Sequence, residues 1–266
     1  MKHLFKFTSL LIVGSILFTS CKKDDTLKTE EISQETLSQI YAHGFGTNNV
    51  QKIEEGFLVE GDIILTPEFL AQTPGGNFLR IANNEQYRTT NIVSQNRNIS
   101  LSMDSKLSAK AGYLIALNEV AARYNAQNLT LSFTVVSSGG DINFVNGNGQ
   151  FLASAGFPTG GNPHGTVKVN AQSIGTGTTS TFTNFLATIL AHEAGHCIGF
   201  RHTDYMDRSF SCGGSLSNEG ASSVGAILIP GTPAGPDAGS WMLACVSRNE
   251  NRPFNANDRT ALSTVY

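Results

Sequence analysis

The stretch from His192 to Asp204, HEAGHCIGFRHTD, restricts this 266-residue chain more than any other part of it. Two histidines four residues apart, His192 and His196, share one helical face, one turn above the other, so both rings can reach a single ion. Three residues further on, Gly199 can take the left-handed backbone that ends a helix and reverses the chain. That reversal brings His202 back towards the other two. Three imidazoles with one position left to water form the ligand set of a catalytic zinc ion. Glu193, beside the first ligand, is placed to take a proton from such a water instead of binding the metal. A plain core helix with satisfied histidines leaves both the glycine and the third histidine unexplained.

The pattern His-Glu-x-x-His-x-x-Gly-x-x-His matches the extended zinc signature of the metzincin metallopeptidases. HEAGH followed by CIGF is most similar to the bacterial dual-action HEIGH metallopeptidases, with Ala194 where their isoleucine stands. The resemblance implies an α+β, metzincin-like catalytic domain. Such a domain has a twisted mixed β-sheet, an active-site helix carrying HEAGH, a Met-turn beneath the metal and a C-terminal helix. It implies a zinc-dependent metalloendopeptidase with His192, His196 and His202 as ligands and Glu193 as general base. Its substrate is a polypeptide in extended conformation.

Ser240-Trp241-Met242 resembles the Met-turn, with Met242 as its methionine. Two positions later, Ala244 stands where astacins and serralysins carry a tyrosine, so a site of matrixin or adamalysin type is expected. Asp204 is read as orienting a ligand histidine or as a surface cap. VEGD, Val59 to Asp62, resembles the Phe-x-Gly-Asp motif of astacin propeptides, whose aspartate takes the fourth zinc position. That makes Asp62 a possible latency switch; the other reading is a strand-end residue. Two further classes stay open: a catalytically idle surface binding lipoprotein on the same scaffold, and zinc-dependent amide hydrolysis on a substrate other than a polypeptide.

Residues 1–20 read as a signal peptide. Lys2 and Lys6 precede an apolar run from Leu10 to Phe18 that is too short to span a bilayer, and small residues follow before Cys21. Phe18-Thr19-Ser20-Cys21 resembles a lipobox, which makes Cys21 the expected lipidation site and a lipid anchor the expected membrane contact. Lys22 in place of aspartate favours the outer membrane, and Lys22 to Asp25 resembles a surface-export tether. Without the two signal lysines the formal charge is more negative than the −3 of the full sequence, which suggests no nucleic-acid partner. The organisation expected is a signal over 1–20, a tether over 21–50, a leader or short propeptide over 51–95 and a peptidase domain over 96–266, acting as a monomer.

Of the remaining cysteines, Cys212 and Cys245 flank the long segment after the zinc motif and are expected to be joined in an exported protein, with Cys197 buried and reduced. Gly56 to Leu70 reads as a strand followed by a short helix or turn. Asn98 to Met103 alternates as a strand, and Asp104 or Ser105 can cap a helix whose stripe is Leu107, Ala111, Leu114, Leu117, Ala121 and Tyr124. Strands follow at Leu129–Val136, Asp141–Val145 and Thr166–Asn170. The Asn146–Gly149 turn is a possible calcium loop. Phe151 to Pro158 sits where matrixins place the edge strand that binds substrate. Ser154 replaces a second-zinc histidine there, which leaves His164 an ordinary loop histidine. The zinc helix starts near Thr179 or Ser180, and a closing helix over Asn255–Tyr266 is capped by Asn257.

Overall fold

The computed structural model describes residues 32–43, 45–72, 86–216, 218, 226–233 and 236–266. The proposed signal and Cys21 lie outside them. In chain order the elements are α1 (Gln34–Ala42), β1 (Gln51–Ile53), β2 (Gly56–Val59), β3 (Ile63–Leu65), α2 (Pro67–Leu70), β4 (Tyr87–Arg88), β5 (Arg97–Met103), α3 (Ser105–Ser108) and α4 (Ala111–Asn125). There follow β6 (Leu131–Val135), β7 (Ile142–Asn146), β8 (Ala153–Ser154), β9 (Thr166–Val169), α5 (Ala171–Ile174), α6 (Ser180–Ile198), α7 (Ser209–Cys212), β10 (Ile227–Leu228) and α8 (Ala256–Val265). Among the described residues no helix is long and apolar enough to cross a membrane.

The main sheet runs β6-β5-β7-β9-β8. Its first four strands are parallel, and only β8 runs against its neighbour. This is the mixed sheet of the expected α+β architecture. Parallel neighbours need a crossover, and α3 with α4 carries the chain from β5 to β6. The expected single helix after β5 is interrupted at Ala109–Lys110. Asp104 caps the short α3 by accepting from Leu107 N–H, and α4 restarts without a side-chain cap. The buried face of α4 is Tyr113, Ala116, Leu117, Val120, Ala121 and Tyr124, so the later part of the expected stripe is buried while Ala111 and Leu114 are exposed.

α6 packs beside α4 in the core. Thr179 starts it by accepting from Phe182 N–H, and Phe185, Leu186, Ile189 and Leu190 are buried along it. α8 is capped by Asn255, not Asn257. The Asn255 side chain accepts from the N–H groups of Asn257 and Asp258, and Asp258 accepts in return from Asn255 N–H. Only Asn255 has an acidic residue three positions on to close that reciprocal pair; the Asn257 side chain donates to Asp237 instead.

Residues 32–72 form a second, smaller core on the cleft. Ser33 caps α1 within the stretch expected to be a tether. Within Gly56–Leu70 the expected short helix is α2, but the single strand expected before it is a hairpin, β2 against β3, because Glu60 and Gly61 have φ of 53° and 88° and turn the chain between Val59 and Ile63. Ile40, Phe45, Val59, Ile63, Leu65, Phe69 and Leu70 cluster around Phe157 of the peptidase part. Residues 86–93 belong to the main body: Thr89 N–H donates to Gly199, Arg88 bridges to Phe200 and Val93 is in the large core.

Candidate metal centre and cleft

Burial of α6 on nearly every side fixes the two histidines it carries. The Nδ1 atom of His192 donates to the carbonyl of Trp241 at 2.9 Å, and Nδ1 of His196 donates to that of Phe200 at 2.8 Å. Each ring therefore turns its Nε2 lone pair to the opposite side. Gly199, at φ 113°, ends the helix with its N–H on Gly195 and His196. A Cβ there would come within 2.7 Å of the Asn91 carbonyl, so glycine is required by space as well as by conformation. The chain then reverses and His202 arrives with its Nε2 3.3 Å from that of His196.

Asp62, at the end of the β2–β3 turn, completes the cluster. Its Oδ2 lies 3.1 Å from His202 Nε2 and 3.7 Å from His192 Nε2. One ligand atom from each of Asp62, His192, His196 and His202 falls within 4.8 Å of all the others, and all four residues are buried. It is the only such group of three or more metal-binding side chains among the described residues; the Asn146–Gly149 turn and His164 are not part of it.

The arrangement fits a zinc ion. Tetrahedral bonds of about 2.0–2.1 Å put neighbouring ligand atoms roughly 3.3–3.4 Å apart. His192 Nε2 and Asp62 Oδ1 are buried without a hydrogen-bond partner, which a cation would relieve. Burial, then the neighbouring histidines, hold His196 well below the usual imidazole range, so it is a neutral donor. Burial alone would raise Asp62, but His202 and the other histidines beside it hold its carboxyl well below the usual carboxylate range.

Glu193 is buried and faces the cleft that Asp62 and His192 also line. Burial, then the charge of Asp62, pushes its carboxyl well above the usual range, against the opposing effect of His202. Its Oε2 is buried without a hydrogen-bond partner. Met242 is almost fully buried, and its carbonyl accepts from Thr203 N–H. A Cβ on Gly195 would stand 2.6 Å from Met242 Sδ, so the methionine side chain rests on α6 at a residue between His192 and His196.

Of the other expected residues, Asp204 is placed differently, whereas the Cys212–Cys245 bond and the buried thiol of Cys197 are as expected. Asp204 does not reach a ligand histidine. Its oxygens accept from Ala244 N–H and Ser211 Oγ, tying the loop after the zinc motif to the segment beyond Met242. A disulfide joins Cys212 to Cys245, and Cys197 is buried as a free thiol. Ser154 is fully buried, with its Oγ unpaired. Burial pushes His164 down to about 4. The expected edge strand over Phe151–Pro158 is short, because beyond Ser154 the chain pairs with the leader instead of the sheet. Ala155 N–H donates to Asp62 O at 2.8 Å, and Ile64 N–H donates to Ala155 O at 2.6 Å.

Two features escaped the sequence. Glu60 and Arg201 form a buried ion pair, with Nη2 2.7 and 2.9 Å from the two carboxylate oxygens. Arg208 donates to the Glu60 carbonyl. Neither pair has local spacing, since 141 residues separate Glu60 from Arg201. A charged residue flanking a zinc ligand was the one available hint.

No curated protein matches this chain. Among solved structures, that of myroilysin matches with 14% identity and a TM-score of 0.42, covering 68% of this chain and 98% of the other. The profile of the dual-action HEIGH metallo-peptidases matches residues 58–266, which include Asp62, the three histidines, Glu193 and Met242. A match over well over half of the chain, on a fold that gathers an Asp and three His residues, makes this protein a zinc metallopeptidase that belongs to the dual-action HEIGH metallo-peptidase family.

Proposed function

We propose that the protein is a metalloendopeptidase held latent by its own leader. The observation that carries this reading is the approach of the Asp62 carboxylate to the histidine Nε2 atoms whose opposite ring nitrogens are tied to backbone carbonyls. His192, His196 and His202 would hold zinc. Bound zinc supplies a Lewis acid that polarises a carbonyl and brings the pKa of water down to about 7. Glu193 accepts the proton of the attacking water and returns it to the leaving amine. Asp62 occupies the place of that water, and Asp62 to Ile64 occupies the backbone groups of Ala155 to which an extended substrate would add.

The test uses the full chain with Asp62→Ala. Zinc-loaded protein should cleave an unfolded polypeptide, lose this with a chelator and regain it with added zinc. A folded, zinc-loaded variant that cuts nothing would point instead to a binding protein on a peptidase scaffold. Signal removal at Cys21 with lipidation, and attachment to the outer membrane, remain part of the proposal. They rest on the lipobox-like sequence, and acyl labelling lost in Cys21→Ala tests them.

A further inference from the structure

We infer that Arg252, its charge held by Glu250, closes the far end of the pocket beside Glu193 and restricts it to a neutral side chain of about the reach of Met or Phe. The inference rests on the peptidase reading above, in which Glu193 returns the proton to the leaving amine. The residue that supplies the amine lies on the Glu193 side of the metal, so this pocket takes the side chain that follows the scissile bond. The cavity next to Glu193 and His192 has a volume of about 220 Å³. Leu152 beside β8, Ile189 on α6, and Leu243 and Val246 after Met242 give it apolar walls.

The depth follows from α6. Thr188 also lines the cavity and stands one turn before His192, roughly 6 Å further along the helix at about 1.5 Å per residue. Arg252 N–H donates to Thr188 Oγ1 at 2.9 Å, which sets Arg252 at that end. From there its buried side chain crosses to the Cys245 carbonyl, to which Nη1 donates at 2.8 Å. Arg123 fastens the same stretch by donating to the Arg252 carbonyl and to Asn251 Oδ1. The closure is therefore fixed at both ends, and one helical turn of apolar wall matches an extended Met or a Phe ring. Glu250 accepts through Oε1 from Nε and through Oε2 from Nη2 of Arg252, at 2.7 and 3.0 Å, a bidentate pair without net charge. A substrate carboxylate there would lose its hydration and meet Glu250 as a like charge, and a lysine would meet the guanidinium. A neutral apolar tip does neither. The other arginine that lines the cavity, Arg208, is engaged at the leader, where it donates to the Glu60 carbonyl.

The experiment uses the zinc-loaded full chain with Asp62→Ala, alone and with Glu250→Gln or Arg252→Ala added. The probes are internally quenched peptides of one sequence that carry Ala, Met, Phe, Trp, Glu or Lys after the cleaved bond, whose position mass spectrometry of the products fixes. The Met and Phe peptides should have a kcat/KM roughly tenfold or more above the Ala, Glu and Lys peptides, since a single methylene in an apolar pocket already counts for about tenfold. Glu250→Gln should raise the Glu-to-Met ratio by a similar factor, and Arg252→Ala should do the same for the Trp-to-Met ratio. Equal rates on the Met and Glu peptides overturn the inference, and so does a Glu-to-Met ratio that Glu250→Gln leaves unchanged. Selectivity that follows the residue before the cleaved bond overturns it as well. These outcomes decide whether or not Arg252→Ala folds. If the zinc-loaded Asp62→Ala protein cuts none of the peptides, the peptidase reading has failed, and anisotropy with the same peptides still decides the pocket. Tighter binding of Met and Phe than of Glu and Lys then sustains the role of Arg252 and Glu250, and equal binding overturns it.

Discussion

Oδ2 of Asp62 lies 3.1 Å from Nε2 of His202, two side chains 140 residues apart in the sequence. The β2–β3 turn sets the aspartate, and the reversal at Gly199 sets the histidine. The contact therefore joins the β2–β3 turn to the loop that follows the active-site helix.

The full chain with Asp62→Ala should hydrolyse a generic peptide faster than the parent. If the carboxylate keeps the open state to a few per cent, the gain is roughly 10- to 100-fold. Initial rates on unprocessed, zinc-loaded protein measure it. Unchanged rates would place the hold on the cleft elsewhere in the leader.

Glu193→Gln should leave zinc content and thermal stability nearly unchanged while turnover falls by about 10²–10⁴. The measurement is metal stoichiometry beside kcat in the Asp62→Ala background. Loss of zinc together with activity would make Glu193 part of the metal hold instead of the proton carrier.

Burial pushes Asp258 up to about 6, against the hydrogen bonds from Asn255, Ser240, Trp241 and Gln86 that favour its charged form. Its folded-state pKa is above its ordinary 3.8, so the folded protein binds the proton more tightly than the unfolded chain. The resulting stabilisation is complete below that ordinary value and is lost as pH rises through about 6, by roughly 2–3 kcal/mol. Denaturation midpoints between pH 4 and 7 should show this slope. Asp258→Asn should flatten it, and should lower stability overall because one of the oxygens accepting from Gln86, Trp241 and Asn255 becomes a donor.

Reduction of the Cys212–Cys245 bond opens a loop of 33 residues, worth about 3–4 kcal/mol of chain entropy. Guanidinium unfolding with and without reductant should show a loss of that order. The Cys212→Ser/Cys245→Ser protein should match the reduced one and be indifferent to reductant. Arg208, which donates to the Glu60 carbonyl, lies just before Cys212 and points its other guanidinium nitrogen at the two sulfurs of this bond, so loss of the bond should also raise basal activity.

The centre was legible because its residues are local. His192, Glu193, His196 and Gly199 follow helix geometry, and one glycine suffices to bring His202 back. The sheet from β5 to β9 was legible for a similar reason, since alternation and β-branched residues mark each strand within a few positions. What the pattern could not carry was tertiary. At the start of α4, Ala111 and Leu114 continue the apolar spacing yet are exposed, while Leu117, Ala121 and Tyr124 are buried as the stripe requires. Asp204 could be read towards a ligand histidine or as a surface cap, and in the fold it accepts from Ala244 and Ser211. The edge strand was read as open, whereas its Ala155 is engaged by residues nearly a hundred positions earlier.

Gln86 is nearly buried and donates to Asp258 at 2.6 Å, while Tyr87 and Arg88 lie between β10 and the Phe200 backbone. If the proposed leader is cut away, that anchoring sets a downstream limit on where. A cut before Gln86 would release the leader and leave the metal-bearing body stitched, whereas one past Arg88 would pull out a thread on which the zinc loop itself leans.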